Sequence, residues 1–158
     1  AIKLGIPHGG WVPKGRLTEA GRLSDNYQLQ EMPTDSYPAR TERNVIDSDG
    51  TVIISHGKLG GGSLLTKKFA VMHNKPYLHL DMSNINIIDG IKSLKDWIKE
   101  NKIETLNVAG RRASKDENIY RVTKDIFEND ISLYEPEDGC FCVPSPKRMK
   151  ELKRRSKD

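Results

Sequence analysis

The sequence predicts an α/β protein: a three-layer open sheet, mostly parallel, with helices on both faces. Apolar runs rich in β-branched residues recur along the chain, and amphipathic stretches with helical spacing separate them. Strands separated by helices pair in parallel through right-handed crossovers, which leaves helices above and below one sheet. The 158 residues are enough for one respectable core. A single ligand-binding domain over residues 1–146 is expected, followed by a basic tail over 147–158.

Taken in order, Ala1 to Leu4 reads as the end of a helix closed by Gly5, and Ile6 to Trp11 as a short extended piece. Trp11 to Met32 has turn residues and charges without a sustained period, so a long surface loop is expected there. A helix follows from about Ser36 to Ile46, with Pro38 tolerated in its first turn. Thr51–Ser55 is a strand. The helix Ser63–Asn74 places Leu64, Leu65, Phe69 and Met72 on or near one face. Tyr77–Asp81 is the next strand, and Ile87–Asn101 a helix whose core stripe is Ile88, Ile91, Leu94, Trp97 and Ile98. Thr105–Ala109 is a strand, Gly110–Lys115 its loop, and Asp116–Asn129 a helix with Ile119, Val122 and Ile126 inward.

The stretch TVIISHGKLGGGSLLT, residues 51–66, is the most informative one. A strand runs into a glycine cluster that opens a helix. A helix start leaves backbone N–H groups unpaired and carries a partial positive charge, so glycines there admit a phosphate close to the backbone. Gly57, Gly60, Gly61 and Gly62 supply the clearance, and Ser63 either caps the helix or bonds the ligand. In an open parallel sheet ligands lie beyond the carboxyl ends of the strands. A second loop at that edge, AGRRAS, offers Gly110 for close approach and Arg112 and Ser114 for anion contacts, with Arg111 beside them. The alternative is that the two arginines balance nearby acids such as Asp116.

Composition narrows the partners. Mean hydropathy is −0.65 and no long apolar run occurs, so no membrane partner is expected. The first residues show no charged leader followed by an apolar block, and the expectation is a cytoplasmic protein. Cys140 and Cys142 are too close for an ordinary disulfide frame, and no second pair completes a zinc set. The net charge is +4 with a pI near 9.0. Residues 147–158 hold seven Lys and Arg against two acids, and the remainder is close to neutral. The basicity belongs to the tail, so nucleic acid is not the expected partner.

Four blocks in order, IPHGGWVPKGRLTEAG, YPARTERNVIDSDGTVIIS, GKLGGGSLLT and LNVAGRRAS, resemble the putative molybdenum carrier family, a Rossmann-like group in the SLOG superfamily. The resemblance spans about residues 1–120. Members of that family carry a first strand and a glycine-rich loop upstream of the position matched by Ala1, and these are expected to be missing here. The resemblance implies a Rossmann-like fold that binds the molybdenum cofactor (molybdopterin) or a related phosphorylated pterin or nucleotide. Lys14 and Arg16 match its GGWVPKGR block, and Arg40, Thr41 and Asn44 its RTxxN block; these are the implied further ligand contacts, with Ser55 and His56 at the strand end. The family often reads GPR where this chain has Gly110, Arg111 and Arg112. A small phosphorylated ligand and a homo-oligomer are the expected partners.

An enzymatic alternative comes from related phosphoribohydrolases, whose GGxGTxxE motif contributes a glutamate to catalysis. Thr66 stands at that position here, and a threonine cannot serve as a carboxylate that activates water. Hydrolysis by that route is disfavoured, with Asp47, Asp49 and His56 as the substitute groups near the rim. Asp47 and Asp49 lie in an SDG turn and read as structural caps. His8, His56, His73 and His79 lack metal-ligand spacing on one helix, so no metal site is expected.

Overall fold

A computed structural model describes residues 1–129. Cys140, Cys142 and the basic tail lie outside the described residues. A single 3-10 turn, Ile2–Leu4, opens the chain, and Gly5 ends it in the left-handed conformation.

The segment expected as one long loop is organised instead by four two-residue strands: β1 (Trp11–Val12), β2 (Leu17–Thr18), β3 (Gly21–Arg22) and β4 (Gln30–Glu31). β1 pairs with β4 in parallel, and β2 with β3 as an antiparallel hairpin. Strands this short carry no hydrophobic period, which is why the sequence conceals them. Side chains fix them. Asn44 accepts the Trp11 N–H at 2.8 Å and donates to the Trp11 carbonyl at 3.2 Å, as a strand neighbour would.

α1 (Tyr37–Ile46) starts at Ser36, whose hydroxyl accepts the Ala39 N–H. β5 (Gly50–Ser55) follows, then α2 (Gly61–Met72), β6 (Tyr77–Asp81), α3 (Ile87–Glu100), β7 (Leu106–Gly110) and α4 (Ile119–Glu128). The main sheet has the order β6-β5-β7, all parallel. α2 and α3 are the crossovers. α1 packs on α2 and α3 on α4, so two helix pairs cover the two faces. The fold is the Rossmann-like α/β architecture expected from the sequence. Every residue of the central strand β5 is buried, as a strand covered on both faces must be.

The faces differ in chemistry. Val52 and Ile54 point into the main apolar cluster with Leu80, Leu94, Ile98 and Ile126. Thr51, Ile53 and Ser55 alternate to the other face, where β6 presents His79 and Asp81 at matching register. That polar strip leads to the carboxyl end of the sheet.

Three expectations about helices need correction. α2 begins at Gly61, and its buried residues are Ser63, Thr66 and Ala70. Leu64 and Met72, expected inward, are 38% and 58% exposed. Small residues let the helix lie close to the sheet, and the Thr66 hydroxyl is satisfied by donating to the Gly62 carbonyl at 2.9 Å. Ile88, expected in the core stripe of α3, is 78% exposed, outside the buried arc of Gly90, Leu94 and Ile98. α4 starts at Ile119 rather than Asp116, because a separate 3-10 turn, Ala113–Lys115, occupies the preceding loop. No helix among the described residues is long and apolar enough to cross a membrane.

Candidate functional site

The carboxyl ends of β5 and β7 bring the glycine-rich loop and the AGRRAS loop to one edge. Gly60 is the N-cap of α2 and supplies no side-chain cap, so among the described residues the N–H groups at this helix start have no side-chain acceptor. Gly57 and Gly61 have φ of +77° and +50°, the left-handed region that glycine enters without strain. Gly60 and Gly62 do not. A β-carbon added at any of these four positions would find no atom of the described residues within 4 Å. For Gly60 and Gly62, therefore, neither backbone conformation nor packing accounts for the missing side chain.

The loop between β5 and α2 is held in shape from three sides. Ser55 donates its hydroxyl to the Gly57 carbonyl at 2.9 Å, which leaves its oxygen to accept from His79 Nε2 at 2.8 Å. Burial holds the His79 ring below its ordinary pKa, despite the Asp81 carboxylate that pulls it upward. At the end of β6, Asp81 accepts from the Gly57 N–H at 2.7 Å and the Ser83 N–H at 3.0 Å. Those backbone bonds hold its carboxyl below the usual range. From the β7 side, Arg111 donates to the Lys58 carbonyl.

His56 is oriented by Asp116. Its Nδ1 lies 3.0 and 2.9 Å from the two carboxylate oxygens, and its backbone N–H donates to Oδ2 at 3.3 Å. Burial alone would push the Asp116 carboxyl up. The bonds from the His56 ring and backbone, with the charges of His56 and Arg111, outweigh it and hold the group low. Nε2 of His56 has no partner among the described residues and is the edge of the ring left available.

The other candidates divide by what they touch. Gly110 closes β7, where a β-carbon would press to 3.0 Å from the Ile54 carbonyl, so glycine there answers to packing. Arg112 and Ser114 both reach Glu19 on the β2–β3 hairpin, at 3.4 and 3.0 Å. Arg40 joins Arg112 around the ring of Tyr37, the two guanidinium carbons standing 5.9 and 5.6 Å from its centroid. Arg16 is turned inward, and its guanidinium donates to the carbonyls of Leu23, Ser24, Tyr27 and Leu29. Thr41 donates to the Tyr37 carbonyl within α1, and Asn44 is used on β1. Lys14 is exposed in the 3-10 turn Lys14–Arg16. Asp49 is a structural acceptor for the Glu104 and Thr105 N–H groups, as its SDG turn suggested.

Sequence reading did not single out Asp81, Glu19 or Tyr37. Asp81 was findable, as a carboxylate closing a strand at the binding edge; Glu19 and Tyr37 are brought to the rim by tertiary contacts without a local signature. Among the described residues no group of three or more His, Cys, Asp or Glu is placed to hold a metal ion.

Two cavities border the arrangement. One, of about 400 Å3, lies between the β2–β3 hairpin, Tyr37, Arg40 and Arg112. The other, of about 540 Å3, lies between β7 and the β1–β4 pair and shares Arg40 with the first.

Residues 1–131 match the circularly permutated YpsA SLOG family. A solved structure, that of a putative molybdenum carrier protein from Syntrophus aciditrophicus, is similar at 55% identity and a TM-score of 0.81, covering 83% of each chain. None of the curated proteins matches. The chain belongs to the circularly permutated YpsA SLOG family.

Proposed function

We propose that this member of the circularly permutated YpsA SLOG family is a carrier that binds a phosphorylated pterin or nucleotide-like molecule at the carboxyl edge of its sheet, with the molybdenum cofactor as cargo. The observation that carries the reading is the bare start of α2. Among the described residues nothing crowds Gly60 or Gly62, and neither has a conformational need for glycine. Both leave backbone N–H groups approachable at the positive end of a 12-residue helix. The similarity to the putative molybdenum carrier protein supports the choice of cargo. The residues fit a phosphate: backbone donors at α2, with Arg111 of the neighbouring loop beside them. Molybdenum itself would arrive bound to its pterin.

Native mass spectrometry of protein purified from a host that makes the molybdenum cofactor tests this. A bound phosphorylated species of pterin or nucleotide mass is expected. Bare protein that also fails to take up added molybdopterin or nucleoside monophosphates would refute it.

The enzymatic reading keeps one specific support, the His56–Asp116 pair. A carboxylate on Nδ1 fixes the imidazole so that Nε2 can take a proton at the rim. Release of free base from a nucleoside monophosphate, abolished in His56→Ala, would establish it in place of carriage.

A further inference from the structure

The 400 Å3 cleft beside the rim holds more positive charge than the described residues balance. Arg40 Nε is buried and has no hydrogen-bond partner among the described residues. Nor does its guanidinium meet a carboxylate among the described residues; it lies over the Tyr37 ring and feels the charge of Arg112. Two cations sharing one aromatic ring repel each other unless an anion lies near both. The carboxylate that approaches is Glu19, at the two-residue tip of the β2–β3 hairpin. It stands 3.4 Å from Arg112 Nη1 and accepts the Ser114 hydroxyl at 3.0 Å. The contact is loosely built. The side chains of Arg112 and Glu19 are 63% and 47% exposed, and both strands of the hairpin face solvent. Ion pairs this open contribute little to stability.

We propose that this cleft is a second anion subsite of the rim ligand, and that Glu19 is the carboxylate that occupies it until the ligand arrives. The inference rests on the α2 reading, to which it adds a ligand class: a molecule with two separated anionic groups. One group meets the N-terminus of α2. The other displaces Glu19 and lies against Arg40 and Arg112, bridged to the first subsite by the loop 110–116 that contacts both. No covalent step is involved. A phosphate offers Arg112 and Ser114 the same acceptor chemistry as Glu19, with more charge for the unbalanced Arg40.

Calorimetric titration with AMP, which has one anionic group, and adenosine 3′,5′-bisphosphate, which has two, provides the test. The parent should prefer the bisphosphate by about tenfold. Glu19→Gln, which removes the competing charge, should raise bisphosphate affinity by about threefold to tenfold while AMP affinity holds. Arg40→Met and the exposed Arg112→Gln should each erase the preference. If AMP binds and is lost in Gly62→Val, yet Glu19→Gln, Arg40→Met and Arg112→Gln leave the affinity ratio unchanged, the second subsite is refuted and the α2 site stands. If Gly62→Val leaves AMP binding intact, the α2 reading fails. The proposed pairing of subsites then falls with it, whatever the cleft variants do.

Discussion

Gly50 and Gly62 are glycines for opposite reasons, and the sequence does not distinguish them. A β-carbon on Gly50 would fall 2.6 Å from Ile103 Cδ1 and 2.8 Å from Trp97 Cη2, whereas one on Gly62 would meet none of the described residues. Gly50→Ala should therefore cost about 1–3 kcal/mol in denaturant unfolding, the usual penalty of overpacking. Gly62→Val should stay within about 0.5 kcal/mol of the parent. A glycine cluster before a helix was legible as a candidate anion site; which of its glycines are free of structural duty was not, because that depends on what packs nearby. His79 provides a second residue-scale prediction. Its pKa is depressed below 6.5, so below that pH the unfolded chain binds a proton that the folded chain resists. Stability should accordingly fall as pH drops through the region just below 6.5. His79→Gln should flatten that part of the profile measured by thermal melts. An unchanged slope would remove His79 from the account.

At the level of elements, strands and helices whose burial follows a long period were readable, and those stapled by side chains were not. The boundaries of β5, β6 and α3 agree with the sequence reading to within a residue or so. The segment 11–32 was opaque because its order comes from Arg16 reaching four carbonyls and from Asn44 standing in for a strand neighbour. Arg16→Ala should lose about 2–3 kcal/mol in urea unfolding, since it removes a buried guanidinium and its charge-assisted bonds to four carbonyls. Lys14→Ala, two positions away and exposed, should be close to silent. The α3 N-cap Asn86 accepts the Asp89 N–H at 2.9 Å, and Asn86→Ala should cost about 1 kcal/mol. On α2 the apolar residues misled: Leu64 and Met72 are exposed, while the small Ser63, Thr66 and Ala70 face inward. Hydrophobicity alone overlooks a close-packed helix whose buried face is small.

Across the whole molecule, the parallel topology delivers the glycine loop, His56, Arg111 and Asp116 to one edge, a convergence that follows from right-handed crossovers in an alternating α/β chain. That part was legible. The pairing of Arg40 with Arg112, and of Glu19 with Ser114, joins residues more than 70 positions apart and needed the folded chain. With Thr66 where the related hydrolases carry a glutamate, incubation with nucleoside monophosphates should release no free base above background. Appearance of base and ribose phosphate would transfer the site from carriage to catalysis. Anion binding at the bare N-terminus of α2 can be measured by calorimetric titration of AMP into the parent and Gly62→Val, compared at equal thermal stability. Saturable binding to the parent and at least tenfold weaker binding to the variant are expected; equal affinities in two equally stable proteins would rule out an anion at that helix start.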